Sequence, residues 1–152
     1  MVNKMPPEAK KILASHGLRA TVIRQKILEV LCRAAGALTQ HQILSALSEH
    51  VDRVTFYRTL TGFEESGLVH RVVDAEGTVR FAVCRHDHAP YEEHSKSKDN
   101  HVHFQCEKCA RTLCLEEVPM PRPQLPAGFN VRHANLFMRG MCADCSQTLY
   151  LD

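Results

Sequence analysis

Asp52-Arg-Val-Thr-Phe-Tyr-Arg-Thr-Leu-Thr-Gly-Phe-Glu-Glu-Ser-Gly67, followed by Leu68-Val-His-Arg-Val-Val73 and Thr78-Val-Arg-Phe-Ala-Val-Cys84, decides the fold of the first half of the chain. Asp52 can cap a helix. Phe56, Leu60 and Phe63 recur at helical spacing and Gly67 stops the run. The two β-branched runs behind it, joined by Asp74-Ala75-Glu76-Gly77, predict a hairpin. With the inner face of the helix occupied, Thr55, Arg58 and Thr61 point outward and Tyr57 sits on the flank. A cation, hydroxyls and an aromatic are what a DNA-reading helix presents. An ordinary solvated helix face would carry the same residues, so the hairpin directly behind is what gives the pattern its meaning.

Upstream, Ala9, Ile12, Leu13 and His16 predict a first helix between Pro6-Pro7 and Gly17. Thr21 caps a second helix with Ile23, Ile27, Val30 and Leu31 on one face. Thr39 and Gln42 form a capping-box pattern ahead of Ile43, Leu44 and Leu47. Short helices and a hairpin within about eighty residues match a winged helix-turn-helix.

The 152-residue chain is 44% hydrophobic and 24% charged, with a formal net charge of +2. That balance neither demands nor excludes nucleic acid, so the DNA case rests on local pattern. No apolar run spans a bilayer, and the N-terminus lacks the apolar stretch of a secretory signal. A cytoplasmic location is expected, with the seven cysteines reduced and available to metals. Five of the ten histidines fall between His86 and His103.

Cys106-Glu-Lys-Cys109 and Cys142-Ala-Asp-Cys145 are two CxxC pairs. A two-residue spacer lets both thiolates of one pair reach a single tetrahedral ion, and two pairs close the site. The alternative, a redox pair or unpaired thiols, is the weaker reading of two such pairs in a chain kept from export. The 32 residues between the pairs exceed the usual zinc-ribbon gap, so β-structure must bring them together. His101–Cys106 alternates and predicts a strand with His101 and His103 on one face, Val102 and Phe104 packing inward on the other. Thr112–Leu115 and Val131–Met138 read as further strands. Pro119, Pro121, Pro123 and Pro126 argue against a helix between them. Residues 85–100 are polar and turn-rich, a linker in which His86, His88 and His94 form either an extra metal site or a solvated loop.

His101 and His103 as a pair point to a second metal. His70 and Cys84 join them only as a constellation; alone, they read as a surface residue of the wing and a buried thiol. Histidine with thiolate suits Zn²⁺, whereas carboxylate-rich sites suit Mn²⁺ or Fe²⁺. Cys114 is either a small core residue or a further ligand, and Cys32 reads as simply buried.

Together these segments resemble the Fur family of bacterial metalloregulators over nearly the whole chain. The segments that carry the resemblance are Gly17-Leu-Arg-Ala-Thr21 with Arg24, Val54-Thr-Phe-Tyr-Arg-Thr-Leu60, Glu65-Ser-Gly-Leu-Val69, His101-Val-His-Phe-Gln-Cys106 with Cys109, and the final Cys142–Cys145 pair. The resemblance implies an α+β protein: a winged helix over residues 1–84, a linker over 85–100, and a small α/β dimerisation domain with a structural zinc over 101–152. It implies a homodimer on a palindromic operator, with Tyr57 and Arg58 in the major groove and Arg19 toward the minor groove or backbone; Thr55 joins the DNA-binding set from its place on the outward face of the same helix. It makes Cys106, Cys109, Cys142 and Cys145 the structural zinc site and places a sensory site around His101 and His103.

Within the family the set His70, Cys84, His101 and His103 is most similar to the zinc uptake regulators. Ala37 stands where iron and manganese sensors tend to have a histidine, and Cys114 where a carboxylate is common. The expected function is a zinc-responsive repressor with two zinc ions per chain, no small-molecule substrate and no membrane partner. An iron or peroxide sensor is the nearer rival. A zinc-dependent hydrolase is the rival from another class, with only Glu116 and Glu117 near enough in sequence to supply a base.

Overall fold

The computed structural model describes residues 9–74, 76–83, 101–131 and 134–147. The chain divides into two compact units, Met1–Asp87 and His88–Asp152.

The first unit contains helices α1 (Ala9–Ser15), α2 (Val22–Arg33), α3 (Gln40–Ala46) and α4 (Arg53–Glu65), with strands β1 (Leu38–Thr39), β2 (Val69–Val73) and β3 (Val79–Val83). Each of three helices starts where a side chain takes over an orphan backbone donor. Thr21 accepts from the Arg24 N–H at 3.4 Å, and Asp52 Oδ1 from Thr55 N–H at 2.9 Å. Thr39 and Gln42 cap each other reciprocally at 3.2 and 2.9 Å. Gly67, at φ +72°, ends α4 while the Leu68 N–H donates back to the Phe63 carbonyl at 2.9 Å. The buried Asp74 closes the hairpin, its Oδ1 accepting from the Glu76 and Thr78 N–H groups at 3.1 and 2.7 Å.

Phe56, Leu60 and Phe63 from α4 pack with Leu13, Ile27, Leu28, Ile43, Val69 and Phe81 into one core. Each such side chain contributes about 1.5–3 kcal/mol by leaving water. The three-stranded sheet has the order β1-β3-β2, with Leu38 opposite Phe81 and His70 opposite Ala82. β1 was not expected from the sequence, because two half-buried residues offer no alternation to read. His70 is buried, which removes the reading of it as a wing-surface residue. Cys32 is only partly buried, packed against the edge of the core.

The second unit is a sheet of order β5-β4-β6, formed by β4 (His101–Cys106), β5 (Thr112–Pro119) and β6 (Leu136–Gly140), followed by the short helix α5 (Ala143–Gln147). β4 runs antiparallel to β5 and parallel to β6. Two expected strands shift. β5 continues past Leu115 to Pro119, and the last strand starts at Leu136 instead of Val131. Val131 is exposed and lies outside the sheet, so its β-branched side chain marked the strand too early. Residues 120–131 contain no helix, as the prolines required. No helix among the described residues is long and apolar enough to cross a membrane.

Candidate metal centres

β4 carries Cys106 to its own C-terminal end, beside Gly140 at the end of β6. From there Cys142 is two residues away, which is how a 32-residue gap closes. The turn after β4 is held by Cys106 N–H to Arg111 O and Ala110 N–H to Cys106 O, both 2.9 Å, and Glu107 N–H ties it to Gly140 O at 2.7 Å. The four cysteine sulfurs all lie within 4.8 Å of one another. Cys109 Sγ and Cys142 Sγ, from different pairs, are 3.9 Å apart. A tetrahedron built on Zn–S bonds of about 2.3 Å has sulfur–sulfur edges of about 3.8 Å. The donor set and its spacing therefore fit zinc.

The protonation pattern supports that fit. The Cys109 and Cys142 backbone N–H groups donate to Cys106 Sγ at 3.5 and 3.4 Å and hold its pKa down to about 6. Burial, and then the three neighbouring cysteine sulfurs, push Cys145 up to about 12. Four adjacent sulfurs cannot all ionise against one another; a divalent cation reverses that repulsion and deprotonates the coordinating thiols.

Arg111, which the sequence reading passed over, lies against this cluster. Its Nε donates to Cys109 Sγ at 3.2 Å, and Nη2 to Cys142 Sγ at 3.6 Å and Asp144 Oδ2 at 2.6 Å. Its signal in the sequence was a cation two residues past the first pair. Ala110 adopts φ +58°, alone among the described non-glycine residues. A Cβ in this left-handed region costs about 1–2 kcal/mol, part of which a glycine would return as unfolded-chain entropy. Ala110→Gly is expected to stabilise the metal-loaded protein by about 1 kcal/mol. Urea unfolding would show this as a raised midpoint with an unchanged slope, and an unchanged or lowered midpoint would contradict it.

A second donor pair lies higher on the same sheet. His103, buried, stands directly opposite Cys114 on β5, and their donor atoms are within 4.8 Å. His103 Nδ1 is 3.3 Å from Asn135 Oδ1. With Nδ1 donating to that oxygen, Nε2 keeps its lone pair, the arrangement usual for a metal-ligating imidazole. Asn135 was also missed, being one polar residue ahead of a strand. Val102 packs inward as expected, but Phe104 is only half-buried and the His103 face is covered as well. Cys84, His86, His88, His94 and the side chain of His101 lie outside the described residues.

On α4, Arg58 and Thr61 are exposed, Thr55 is half-buried, and Tyr57 is 49% exposed with its ring edge-on to Phe56. Val54, not singled out from sequence, is exposed on the same helix. Arg19 is exposed, its carbonyl accepting from Arg24 Nη1 at 3.1 Å.

Residues 15–139 match the sequence model of the ferric uptake regulator family. The chain belongs to that family. The peroxide operon regulator of Bacillus subtilis (strain 168) is 30% identical over 148 residues, covering 92% of each chain. The ferric uptake regulation protein of Vibrio vulnificus (strain CMCP6) is 28% identical over 142 residues, covering 88% of this chain and 87% of the relative. Among solved structures, a zinc uptake regulator complexed with zinc and DNA shares the fold at a TM-score of 0.65 with 22% identity, covering 93% of each chain. As a ferric uptake regulator family member, this protein is a metal-responsive transcriptional regulator and not an enzyme.

Proposed function

We propose that the protein is a zinc-responsive repressor that binds a palindromic operator as a homodimer when its sensory site is loaded. The observation that carries this reading is the buried His103 facing Cys114, a nitrogen–sulfur pair at a position where a carboxylate would favour iron or manganese. In this reading His70 and Cys84 from the first unit, with His101 and His103, form the sensory site and Cys114 adds a thiolate. Residues 85–100 link the two units. Cys106, Cys109, Cys142 and Cys145 hold a second, structural zinc. The zinc uptake regulator seen with zinc and DNA supports the choice of metal and partner by likeness of fold.

On DNA, Tyr57 and Arg58 read the major groove, Thr55 flanks them, and the exposed Val54 offers methyls to a thymine. Arg19 faces the minor groove or backbone. Exposed Val118 on β5 and Met138 on β6 supply apolar surface for the homodimer. Zinc at the sensory site favours the conformer that spaces two α4 helices for the operator, and by linkage operator DNA tightens zinc.

The test measures zinc per chain before and after mild chelation, alongside operator binding. The expected result is one retained zinc, one exchangeable zinc that controls binding, and Arg58→Ala weakening operator binding by about 1–3 kcal/mol. Unchanged operator affinity after loss of the exchangeable zinc would overturn the reading.

A second reading, a peroxide or iron sensor, is favoured by the 30% identity to the Bacillus subtilis peroxide operon regulator. It requires oxidised histidine at His101 or His103 after Fe²⁺ and peroxide treatment, detectable by mass spectrometry.

A further inference from the structure

We propose that Arg111 is a positioning residue that shields the structural zinc cluster, bridging its two cysteine pairs and suppressing attack by electrophiles on the exposed Cys109 sulfur. The inference rests on the four-cysteine zinc reading above.

The cluster is not uniformly protected. Cys106 and Cys142 are buried, Cys145 is half-buried, and Cys109 is exposed. A zinc ion held by four thiolates carries a net double negative charge, and that charge makes the accessible sulfur nucleophilic. Buried Cys106 has two backbone N–H donors to quiet it. Cys109 is served by Arg111, whose backbone N–H and guanidinium both donate to its sulfur, Nε to Sγ at 3.2 Å; the guanidinium is the part that a substitution removes.

The geometry uses the planar fork that distinguishes arginine from lysine. One edge reaches Cys109 of the first pair, and Nη2 reaches Cys142 of the second pair at 3.6 Å. Asp144, between the second pair's cysteines, anchors the same Nη2 at 2.6 Å. One side chain therefore adds a positive charge at the cluster's exposed edge and joins two segments that are 33 residues apart at Cys109 and Cys142. A surface ion pair alone would be worth little. Here the cation occupies the approach to the accessible thiolate, so its effect is expected in reactivity more than in stability.

Alkylation tests this directly. Iodoacetamide forms a sulfur–carbon bond with the thiolate, iodide leaves, and the resulting thioether holds zinc poorly; with the exchangeable ion first removed by mild chelation, release of the retained zinc to a coloured chelator reports attack on the four-cysteine cluster. Full-length protein is compared with Arg111→Gln, which removes charge and fork, and Arg111→Lys, which keeps charge alone. Zinc content is measured first, and release is followed with chelator only and with increasing iodoacetamide.

The expected result is zinc bound in all three, similar chelator-only rates, and a second-order alkylation rate about 10-fold higher in Arg111→Gln, with Arg111→Lys between. Equal second-order rates in all three would overturn the inference while leaving the zinc site standing. A rise only in the chelator-only rate would also overturn it, because that marks a purely structural brace. Absence of zinc from the wild-type cluster would overturn the underlying reading and the inference with it. If Arg111→Gln does not fold, Asp144→Asn, which frees the guanidinium from its anchor without touching a sulfur, must raise the second-order rate for the inference to survive.

Discussion

Cys106→Ser is expected to unfold the second unit and leave the first unit folded. Cys106 is fully buried at the end of β4, and its sulfur receives N–H groups from both cysteine pairs. Serine fits the space but offers a poor zinc ligand. What makes the loss severe is the poverty of the surrounding core. Among the described residues of the second unit, the buried ones are Val102, His103, Cys106, Thr112 and Cys142, and Val102 is the one ordinary hydrocarbon among them. A unit with so little buried apolar surface needs a staple. Structural zinc supplies about 10–16 kcal/mol of apparent binding free energy, and where the site forms only on folding, that is folding free energy.

The first unit has its own core of Leu13, Ile27, Leu28, Ile43, Phe56, Phe63 and Phe81, so it is expected to stay folded without the ion. Hydrogen exchange read by mass spectrometry separates the units. In Cys106→Ser, amides of β4, β5 and β6 should lose protection while those of α2 and α4 keep it, and bound zinc should fall. Retained zinc with native protection of β4 would show that the four cysteines are not the element that holds this unit together. Cys32→Ser, at a half-buried thiol of the first unit, serves as the control and should leave both units intact.

The first unit was legible in the sequence because its signals are local and mutually consistent. Thr21, Thr39 and Asp52 each cap the helix they precede, and Phe56, Leu60 and Phe63 all lie in the core. The four cysteines were legible because the chemistry fixes both residue type and spacing. The rest depended on pairings between distant segments, which periodicity does not carry. β1 exists only because β3 pairs with it, and Leu136 begins β6 only because Val102 on β4 lies opposite. That Cys114 lies directly across from His103 is a fact of the register, which the sequence around Cys114 does not state. Arg111 and Asn135 were invisible for the same reason, since each matters through a partner 31 or 32 residues away in sequence. A motif names residues by type and spacing, and it carries no signal for a neighbour such as Arg111 that reaches the cysteines from outside that spacing.

His103→Ala is expected to yield a folded protein that holds the structural zinc but no longer responds to zinc on DNA. His103 lies on the face of β4 opposite to Val102, so its removal leaves the inner packing of the strand in place. The cost is the loss of one buried imidazole and its contact with Asn135, about 1–3 kcal/mol, smaller than the loss of the structural ion. On the proposed reading Nε2 of this ring is a ligand of the exchangeable zinc. Without it, operator affinity in excess zinc should fall to that of wild-type protein stripped of the exchangeable ion, a drop of about 5–150-fold. Affinity without that ion should be the same in both proteins, and this equality separates a lost metal site from a damaged DNA surface. Linkage demands the converse as well: adding operator should tighten the exchangeable zinc in the wild type and have no such effect in His103→Ala. Cobalt substitution then assigns the sulfur. If Cys114 is the thiolate partner of His103, Cys114→Ser should weaken the sulfur-to-cobalt absorption of the exchangeable site while the four-cysteine absorption persists. A His103→Ala protein that still tightens on operator with added zinc, over the wild-type range, would move the sensory ion elsewhere and leave the His103–Cys114 pair as core.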